Sequence, residues 1–252
     1  MCAACALERH AVFRLILDPP RPPALNMAVD EILMKGQKLP EAVPTLRFYS
    51  WSTPAYSIGY FQDVDEIAAR RRLAEKGVPV VKRITGGGMV LHGEDLTLSL
   101  TLKTPTPFLP REIKDSYLKI NEALRVGLAE VLPAIDYASC KEVPSGRGGG
   151  ERVCFETPSC YDLLLHKKKV VGSSQRRKDG TLLHQSSLFF KLDNKTLIHC
   201  VLRGFEKKWK VAFREIPLSD KELMEAERCA LRRYASREWA WSPVENLPVV
   251  LV

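Results

Sequence analysis

The chain has 252 residues, of which 45% are hydrophobic and 27% are charged, and these proportions exclude a disordered or fibrous protein. Its 38 basic and 30 acidic side chains give a net charge of +8, which favours an anionic partner: nucleic acid, an anionic cofactor or an acidic protein. No apolar run approaches the roughly 20 residues that a membrane helix requires. Since Glu8 and Arg9 interrupt the only candidate signal core, we expect a single-domain cytoplasmic protein.

The cysteines do not form a pattern typical of a disulfide scaffold or a metal centre. There are seven, an odd number, and their spacing is irregular. Cys2 and Cys5 form a CxxC pair, but no second pair stands at zinc spacing. We therefore expect no bound metal.

The first 76 residues alternate between strand and helix patterns. Residues Val12 to Leu17 are typical of a strand, and apolar residues at helical spacing predict a helix from about Ala24 to Lys35. Two further extended segments follow, Leu46 to Trp51 and Tyr56 to Phe61, separated by a turn at a proline. A basic helix is predicted over Val64 to Lys76, and the glycine and proline that follow it mark its end.

The next stretch, Val80 to Leu102, combines an apolar strand, three consecutive glycines and an alternating strand. The alternation of leucine with threonine or serine from Leu96 to Leu102 has period two, which predicts a half-buried strand. Glycines lack a Cβ, so the backbone can adopt positive φ and approach a ligand closely. The pattern matches neither a Walker loop nor a dinucleotide fingerprint. We interpret it as a binding hairpin.

The rest of the chain carries one strong helix, three strands and a capped helix. A proline-rich linker precedes the helix, a glycine-rich loop follows it, and no internal repeat is found. These elements are the helix Ile113 to Leu132, the loop Lys141 to Glu151, strands at Tyr161 to Leu165, Lys168 to Val171 and Thr181 to Lys191, and a helix from the capping box of Ser219 and Glu222 to about Tyr234. Hairpins mixed with a few long helices predict an α+β fold with a largely antiparallel or mixed sheet flanked by helices.

Four segments, in order, carry a resemblance to a known family: ALNMAVDEIL (24–33), RFYSWSTPAYSIGYFQ (47–62), VVKRITGGGMVLHGEDLTLSL (80–100) and CFETPSCYDLLLHKKKVVGSSQRR (154–177). Together they resemble the lipoate–protein ligases and octanoyltransferases, which share their fold with biotin–protein ligases. The similarity covers about residues 12 to 240. It implies an enzyme that places octanoyl or lipoyl groups on one lysine of lipoyl-domain proteins, such as the E2 subunits of 2-oxoacid dehydrogenases and the glycine cleavage H protein.

The resemblance also implies the site. The glycine-rich segment from Arg83 to His92 would wall an apolar tunnel for the acyl chain, and Lys169 would hold the acyl carbonyl. An ammonium suits that task because it stabilises negative charge developing on the carbonyl oxygen. The residues expected to bind the acyl group or substrate are Arg83, Gly86, Gly87, Gly88, His92, Gly172, Ser173, Ser174, Gln175 and His184.

Cys154 matches the acylated cysteine of one octanoyltransferase branch, in which octanoyl acyl carrier protein is the donor. A thiolate is a strong nucleophile if nearby positive charge lowers its pKa. In this branch the resemblance implies no cofactor. Two alternatives stay open: an ATP- and Mg-dependent lipoate ligase, for which three glycines at 86–88 are typical, and an amidotransferase acting between lipoyl domains.

The charge also allows a non-enzymatic alternative. Six basic side chains fall between Lys167 and Lys178, as expected of a nucleic-acid-binding module. No recognisable nucleic-acid-binding motif accompanies them, so nucleic acid is the weaker interpretation.

Overall fold

The structure, a computed structural model, describes residues 10–70, 72, 76–139 and 158–242. Its larger sheet has eight strands and is mixed. In spatial order the strands are β11 (Val211–Glu215), β1 (Ala11–Leu17), β2 (Thr45–Tyr49), β6 (Leu96–Lys103), β10 (Thr181–Leu188), β9 (Lys168–Lys178), β8 (Leu163–Leu165) and β7 (Ile135–Tyr137). The first three pair in parallel and all later neighbours pair antiparallel.

A second sheet of four short strands carries the glycine-rich segment. Its spatial order is β12 (Ala240–Trp241), β4 (Val80–Lys82), β3 (Ala55–Ile58) and β5 (Val90–His92). The three glycines connect β4 to β5, and β3 lies between those two strands.

Helices cover both faces of the large sheet. They are α1 (Pro23–Gly36), α2 (Val64–Arg70), α3 (Ile113–Leu128), α4 (Asn194–Trp209) and α5 (Asp220–Cys229), which continues as a π-helical turn (Ala230–Tyr234). The leucines of β6 share one buried cluster with apolar residues of α3 and α4. On the opposite face, α1 packs with α5 and the π-helical turn. None of the helices in the described ranges is long and apolar enough to cross a bilayer.

The α+β fold with a mixed sheet is confirmed, and so are several local predictions. The turn between β9 and β10 has Asp179 at φ +50° and Gly180 at φ +73°, as a tight hairpin requires. The capping box predicted for α5 is present, because Ser219 Oγ accepts from the N–H of Glu222 while the Glu222 carboxylate accepts from the N–H of Ser219.

Two predictions were wrong, and two elements were missed. The glycine segment is not a hairpin tip, because β4 and β5 each pair with β3, and β6 belongs to the other sheet. Strand β6 is buried on both faces rather than half-buried, since helices cover both sides of the sheet. Helix α4 and strand β11 were not predicted. The predicted loop over 141–151 lies outside the described residues.

Candidate active site

The glycine-rich segment is held in place by a close backbone contact with β3 and the residues after it. Gly87 has φ +93°, a conformation that glycine adopts without strain. A Cβ built on Gly59 would lie 2.1 Å from the carbonyl oxygen of Gly87. Only glycine at position 59 therefore allows the segment to pack this closely.

Arg83 is buried and fixes the curvature of the same segment. Its Nη2 donates to the carbonyl oxygens of Gly86, at 2.7 Å, and Gly88, at 2.8 Å. Its Nη1 donates at 3.1 Å to both the carbonyl oxygen and the Oγ of Ser57. Arg83, which the sequence predicted to bind a ligand, therefore holds the glycine loop in its conformation and also contacts Ser57.

A second network ties the segment to α1, β9 and β10. The Ser174 hydroxyl donates to Thr85 Oγ1 at 2.9 Å, and that hydroxyl donates to Gln185 Oε1 at 2.6 Å. Gln185 Nε2 in turn donates to the buried carboxylate of Asp30 at 2.7 Å. The residue immediately before Gly86 is therefore anchored to the central strands of the large sheet.

A narrow cavity lies between the glycine segment and the large sheet. Five predicted site residues line it, and its lining contains both apolar and polar side chains. The lining residues are Met27, Tyr49, Trp51, Ser57, Arg83, Val90, His92, Thr97, Gly172, Ser173, Ser174, Gln185 and Ser187. The structure thus brings Arg83 and His92 together with residues of β9.

His92 lies in this cavity with a defined orientation. Its Nε2 is 2.7 Å from Ser57 Oγ, and its Nδ1 is 2.8 Å from Asp95 Oδ2. The imidazole stacks on the indole of Trp51, with ring centroids 4.0 Å apart. Burial alone would raise the pKa of Asp95, but the imidazole and hydrogen bonds from Thr97 and the backbone hold that pKa below its usual value.

Lys169 lies on β9, three residues before the first cavity-lining residue of that strand, and does not itself line the cavity. Its ammonium is 2.6 Å from Asp162 Oδ2, and both side chains are almost completely buried. A bulge between β8 and β9 adjoins Lys169, and such irregularities redirect side chains. Burial raises the pKa of Asp162 above its usual value, although Lys169 draws it down.

Gln175 and His184 form a separate polar group beneath the cavity. Gln175 Nε2 is 3.0 Å from His184 Nδ1, and His184 Nε2 is 2.8 Å from Ser186 Oγ. Burial lowers the pKa of His184 to about 3, so this imidazole is neutral at physiological pH. Ser186 contacts Ser173 Oγ at 2.8 Å, which links the group to the cavity wall.

The proposed nucleophile Cys154, like Cys2 and Cys5, lies outside the described residues. Cys160 is disulfide-bonded, whereas Cys200 and Cys229 are free. Burial, followed by the nearby Glu31, raises the pKa of Cys229 to about 11. Neither free cysteine of the described ranges lines the cavity. In those ranges no group of three or more His, Cys, Asp or Glu side chains is arranged to hold a metal ion.

Sequence reasoning missed Ser57 and Asp95. Both lie inside the segments that carry the family resemblance. Asp95 follows His92 by three residues. A histidine and an aspartate three residues apart could have indicated a hydrogen-bonded pair. Ser57 could not have been found in this way, because it is 35 positions from His92 and only the pairing of β3 with β5 brings the two together.

Comparison with known proteins identifies the family. Residues 22–219 match the model of the lipoyl protein ligase A/B catalytic domain. The chain belongs to this family. A curated relative, Octanoyltransferase LipM of Exiguobacterium sibiricum, is 31% identical over 261 residues, a match covering 87% of this chain and 94% of that protein. The family resemblance deduced from the four segments is therefore confirmed.

Solved structures of the family share the fold. Lipoate-protein ligase A bound with ATP superposes with a TM-score of 0.73 at 21% identity, covering 91% of this chain and 98% of that chain. An archaeal bipartite lipoate protein ligase, solved in a study of that ligase and its E2 lipoyl domain from Thermoplasma acidophilum, gives a TM-score of 0.72 at 21% identity, covering 91% and 96%. At this identity the likeness shows the fold.

Proposed function

We propose that this protein is an acyltransferase that places an octanoyl group on a specific lysine of lipoyl-domain proteins, through a thioester on Cys154. The observation that carries the proposal is the cavity that Arg83 and His92 line together with Gly172–Ser174 of β9. Gly86, Gly87 and Gly88 do not line it, and buried Lys169 lies three positions before Gly172 on the same strand. Similarity to an octanoyltransferase over most of both chains supports octanoyl as the transferred group.

The transfer would proceed in two steps. First, Cys154 loses its proton and its thiolate attacks the carbonyl carbon of an octanoyl thioester on acyl carrier protein; the carbon–sulfur bond to the carrier breaks, and the carrier leaves as a thiolate, which takes up the proton that Cys154 released. Second, the neutral amine of the target lysine attacks the Cys154 thioester, forming the amide and returning the thiol with the amine's proton.

Lys169 would stabilise the carbonyl oxygen in both steps. The Asp162 carboxylate, 2.6 Å away, restricts the position of the Lys169 ammonium. A cation held rigidly in a buried site stabilises developing negative charge more strongly than one in water, because little reorganisation is needed. Residues Gly172–Gln175 would then position the acyl group along β9.

The partners follow from the same assignment. We propose octanoyl acyl carrier protein as the donor, and E2 lipoyl domains or the glycine cleavage H protein as acceptors, in the cytoplasm. The net charge of +8 would attract acidic proteins of both kinds. One structural neighbour, a bipartite lipoate protein ligase, belongs to an archaeal lipoylation system described together with its E2 lipoyl domain, which supports lipoyl domains as acceptors.

Intact-mass measurement tests this function. An apo lipoyl domain is incubated with the protein and octanoyl carrier protein, and separately with the protein, lipoate, ATP and magnesium. We expect an octanoyl adduct in the first reaction and a hydroxylamine-sensitive octanoyl adduct on Cys154. Cys154→Ser should abolish transfer from the carrier, whereas Cys200→Ser, a change at a buried cysteine of α4, should not.

Other outcomes would identify the alternatives. Lipoyl mass appearing only with ATP would establish a ligase, for which Cys154 is dispensable. Transfer only from an already modified lipoyl domain would establish an amidotransferase. Salt-sensitive binding to DNA or RNA without any acyl transfer would favour the nucleic-acid module.

A further inference from the structure

Two serine–histidine pairs lie at or beneath the cavity, and they differ in the group on the far side of the imidazole. In the first, Ser57 contacts His92, whose other nitrogen contacts the Asp95 carboxylate. In the second, Ser186 contacts His184, whose other nitrogen contacts an amide. Only the first pair has the serine–histidine–carboxylate order found in nucleophilic serine sites.

The direction of the hydrogen bonds in the first pair is set by its two ends. Arg83 can only donate, so Ser57 Oγ accepts from it at 3.1 Å, and this leaves the serine proton available for donation to His92 Nε2, 2.7 Å away. Asp95, held ionised by its surroundings, can only accept, so His92 carries its proton on Nδ1. With the Nδ1 proton donated to Asp95, the neutral form of the imidazole presents Nε2 without a proton to the serine hydroxyl.

The site is rigid and faces the cavity. Trp51 stacks on the His92 ring and also donates from Nε1 to Thr97 Oγ1 at 3.0 Å. That threonine hydroxyl donates to Asp95 Oδ2 at 2.9 Å. Ser57, His92 and Arg83 all line the cavity, so an acyl carbonyl placed there would meet the serine and the guanidinium together.

We propose that Ser57, His92 and Asp95 form a second acyl-accepting site, which hydrolyses acyl thioesters and esters independently of Cys154. Ser57 Oγ attacks the acyl carbonyl carbon as its proton moves to His92 Nε2. The leaving thiol or alcohol takes that proton, and an ester on Ser57 results. Water then attacks this ester, giving up its proton to His92, which returns it to Ser57 Oγ as the free carboxylic acid departs.

Arg83 has a distinct part in this reaction. Its Nη1 lies beside the serine oxygen and its Nη2 is occupied by the glycine carbonyls, so the guanidinium is preorganised next to the developing negative charge. The choice of an eight-carbon acyl group rests on the proposed function, whereas the reactivity of Ser57 does not.

Covalent labelling tests the nucleophile directly. The full chain is incubated with methyl and octyl fluorophosphonates, which form a bond between phosphorus and an activated serine oxygen as fluoride leaves. We expect one adduct by intact mass, located on Ser57 by peptide mapping and absent from Ser57→Ala. Ser186→Ala, which alters the serine of the amide-backed pair, should retain the label.

Hydrolysis provides the second test, carried out in a Cys154→Ala background so that failure of the thioester mechanism does not affect it. We expect the Cys154→Ala variant to hydrolyse an octanoyl thioester, and we expect the double variant Cys154→Ala/Ser57→Ala to lack that activity. Asp95→Asn keeps the shape of the site and should slow labelling by about 10³-fold or more. Circular dichroism confirms that each variant is folded.

The contrary results are clear. Labelling of another serine, no adduct at all on the wild-type chain, or hydrolysis that is unchanged by Ser57→Ala would each overturn the proposal. The wild-type labelling requires no substitution, so it decides the question even if a variant fails to fold.

Discussion

Lys169, near the start of β9, and Asp162 form a nearly buried ion pair. Burial of two charges costs free energy that their attraction only partly returns. The same burial makes the ammonium effective toward a carbonyl oxygen, because water screens it little. The pair therefore has a cost in stability and a benefit in chemistry, and substitutions can separate the two.

We predict that Lys169→Met lowers kcat/KM for octanoyl transfer by about 100-fold, the loss typical of removing one preorganised donor to an oxyanion. The variant also leaves the Asp162 carboxyl buried beside a methionine. The double variant Lys169→Met/Asp162→Asn should regain stability without regaining activity. Lys168→Met, at the exposed neighbouring position, is the matched control and should keep wild-type activity. Equal losses from both single lysine variants would contradict the assignment.

His184 gives a prediction about pH. Its pKa in the folded protein is about 3, below the usual value of 6.5, because burial disfavours the imidazolium. The unfolded chain therefore binds the proton more readily between these values, and stability falls as pH drops below 6.5. From pH 7 to pH 5 this one group should remove roughly 2 kcal/mol of the free energy of unfolding.

Urea titrations at pH 5, 6 and 7 measure that loss. His184→Gln, which keeps hydrogen-bonding capacity but does not titrate, should show a flatter dependence of unfolding free energy on pH. The carboxylates Asp18, Glu31 and Asp95 have pKa values below their usual range, and their contribution is lost only at more acidic pH. An identical slope in wild type and variant would refute the role given to His184.

At the scale of elements, α3 and α4 cross in close contact because each has a glycine at the crossing. A Cβ on Gly127 would lie 1.9 Å from the carbonyl oxygen of Cys200, and one on Gly204 would lie 2.0 Å from that of Ala123. These obstacles are backbone atoms, which cannot move aside as a side chain can. The two helices must separate if either glycine gains a side chain.

We predict that Gly127→Ala destabilises the fold by about 3 kcal/mol, the upper part of the usual range for overpacking. Gly36→Ala, near the end of α1 with open space around its Cβ, is the control and should be neutral or stabilising by up to about 1 kcal/mol. Denaturant unfolding of both variants measures the difference. Equal unfolding midpoints would show that the helices do not need this close contact.

The elements that the sequence predicted best are those whose pattern is local. Helix α1 and the β9–β10 turn follow from spacing and turn chemistry within a few residues. Helix α4 was missed because its buried face includes Cys200 and Gly204, which weaken the apolar pattern although Asp193 caps its start. Strands β4 and β6 were predicted to form a hairpin, but β4 pairs with β3 and β6 belongs to the other sheet, and these pairings depend on contacts over long sequence distances.

The same distinction holds for the site. The four segments predicted which stretches meet, and Arg83, His92 and Gly172–Ser174 do line one cavity. Their individual partners were not predictable, because Ser57 meets His92 through strand pairing and Asp162 meets Lys169 across an irregular register. Whether Cys154 approaches these groups stays a prediction, since it lies outside the described residues.

At the scale of the whole molecule, charge distribution bears on how partners arrive. The net charge is +8, and the lysines at both ends of β9, including Lys167, Lys168 and Lys178, are exposed. Residues Gly172 to Ser174 of the same strand line the cavity. An acidic domain carrying the target lysine would thus be attracted toward the side of the molecule where the proposed chemistry occurs.

We predict that kcat/KM for transfer to an acidic lipoyl domain falls about tenfold between 0.1 M and 1 M salt, because the screening length shortens from about 10 Å to about 3 Å. The matched measurement uses a neutral octanoyl thioester as donor and follows acylation of Cys154 alone. That step has no charged macromolecular partner and should be nearly independent of salt. If both reactions slowed equally, salt would be acting on the enzyme itself. If neither slowed, the positive surface would have no part in bringing the partners together.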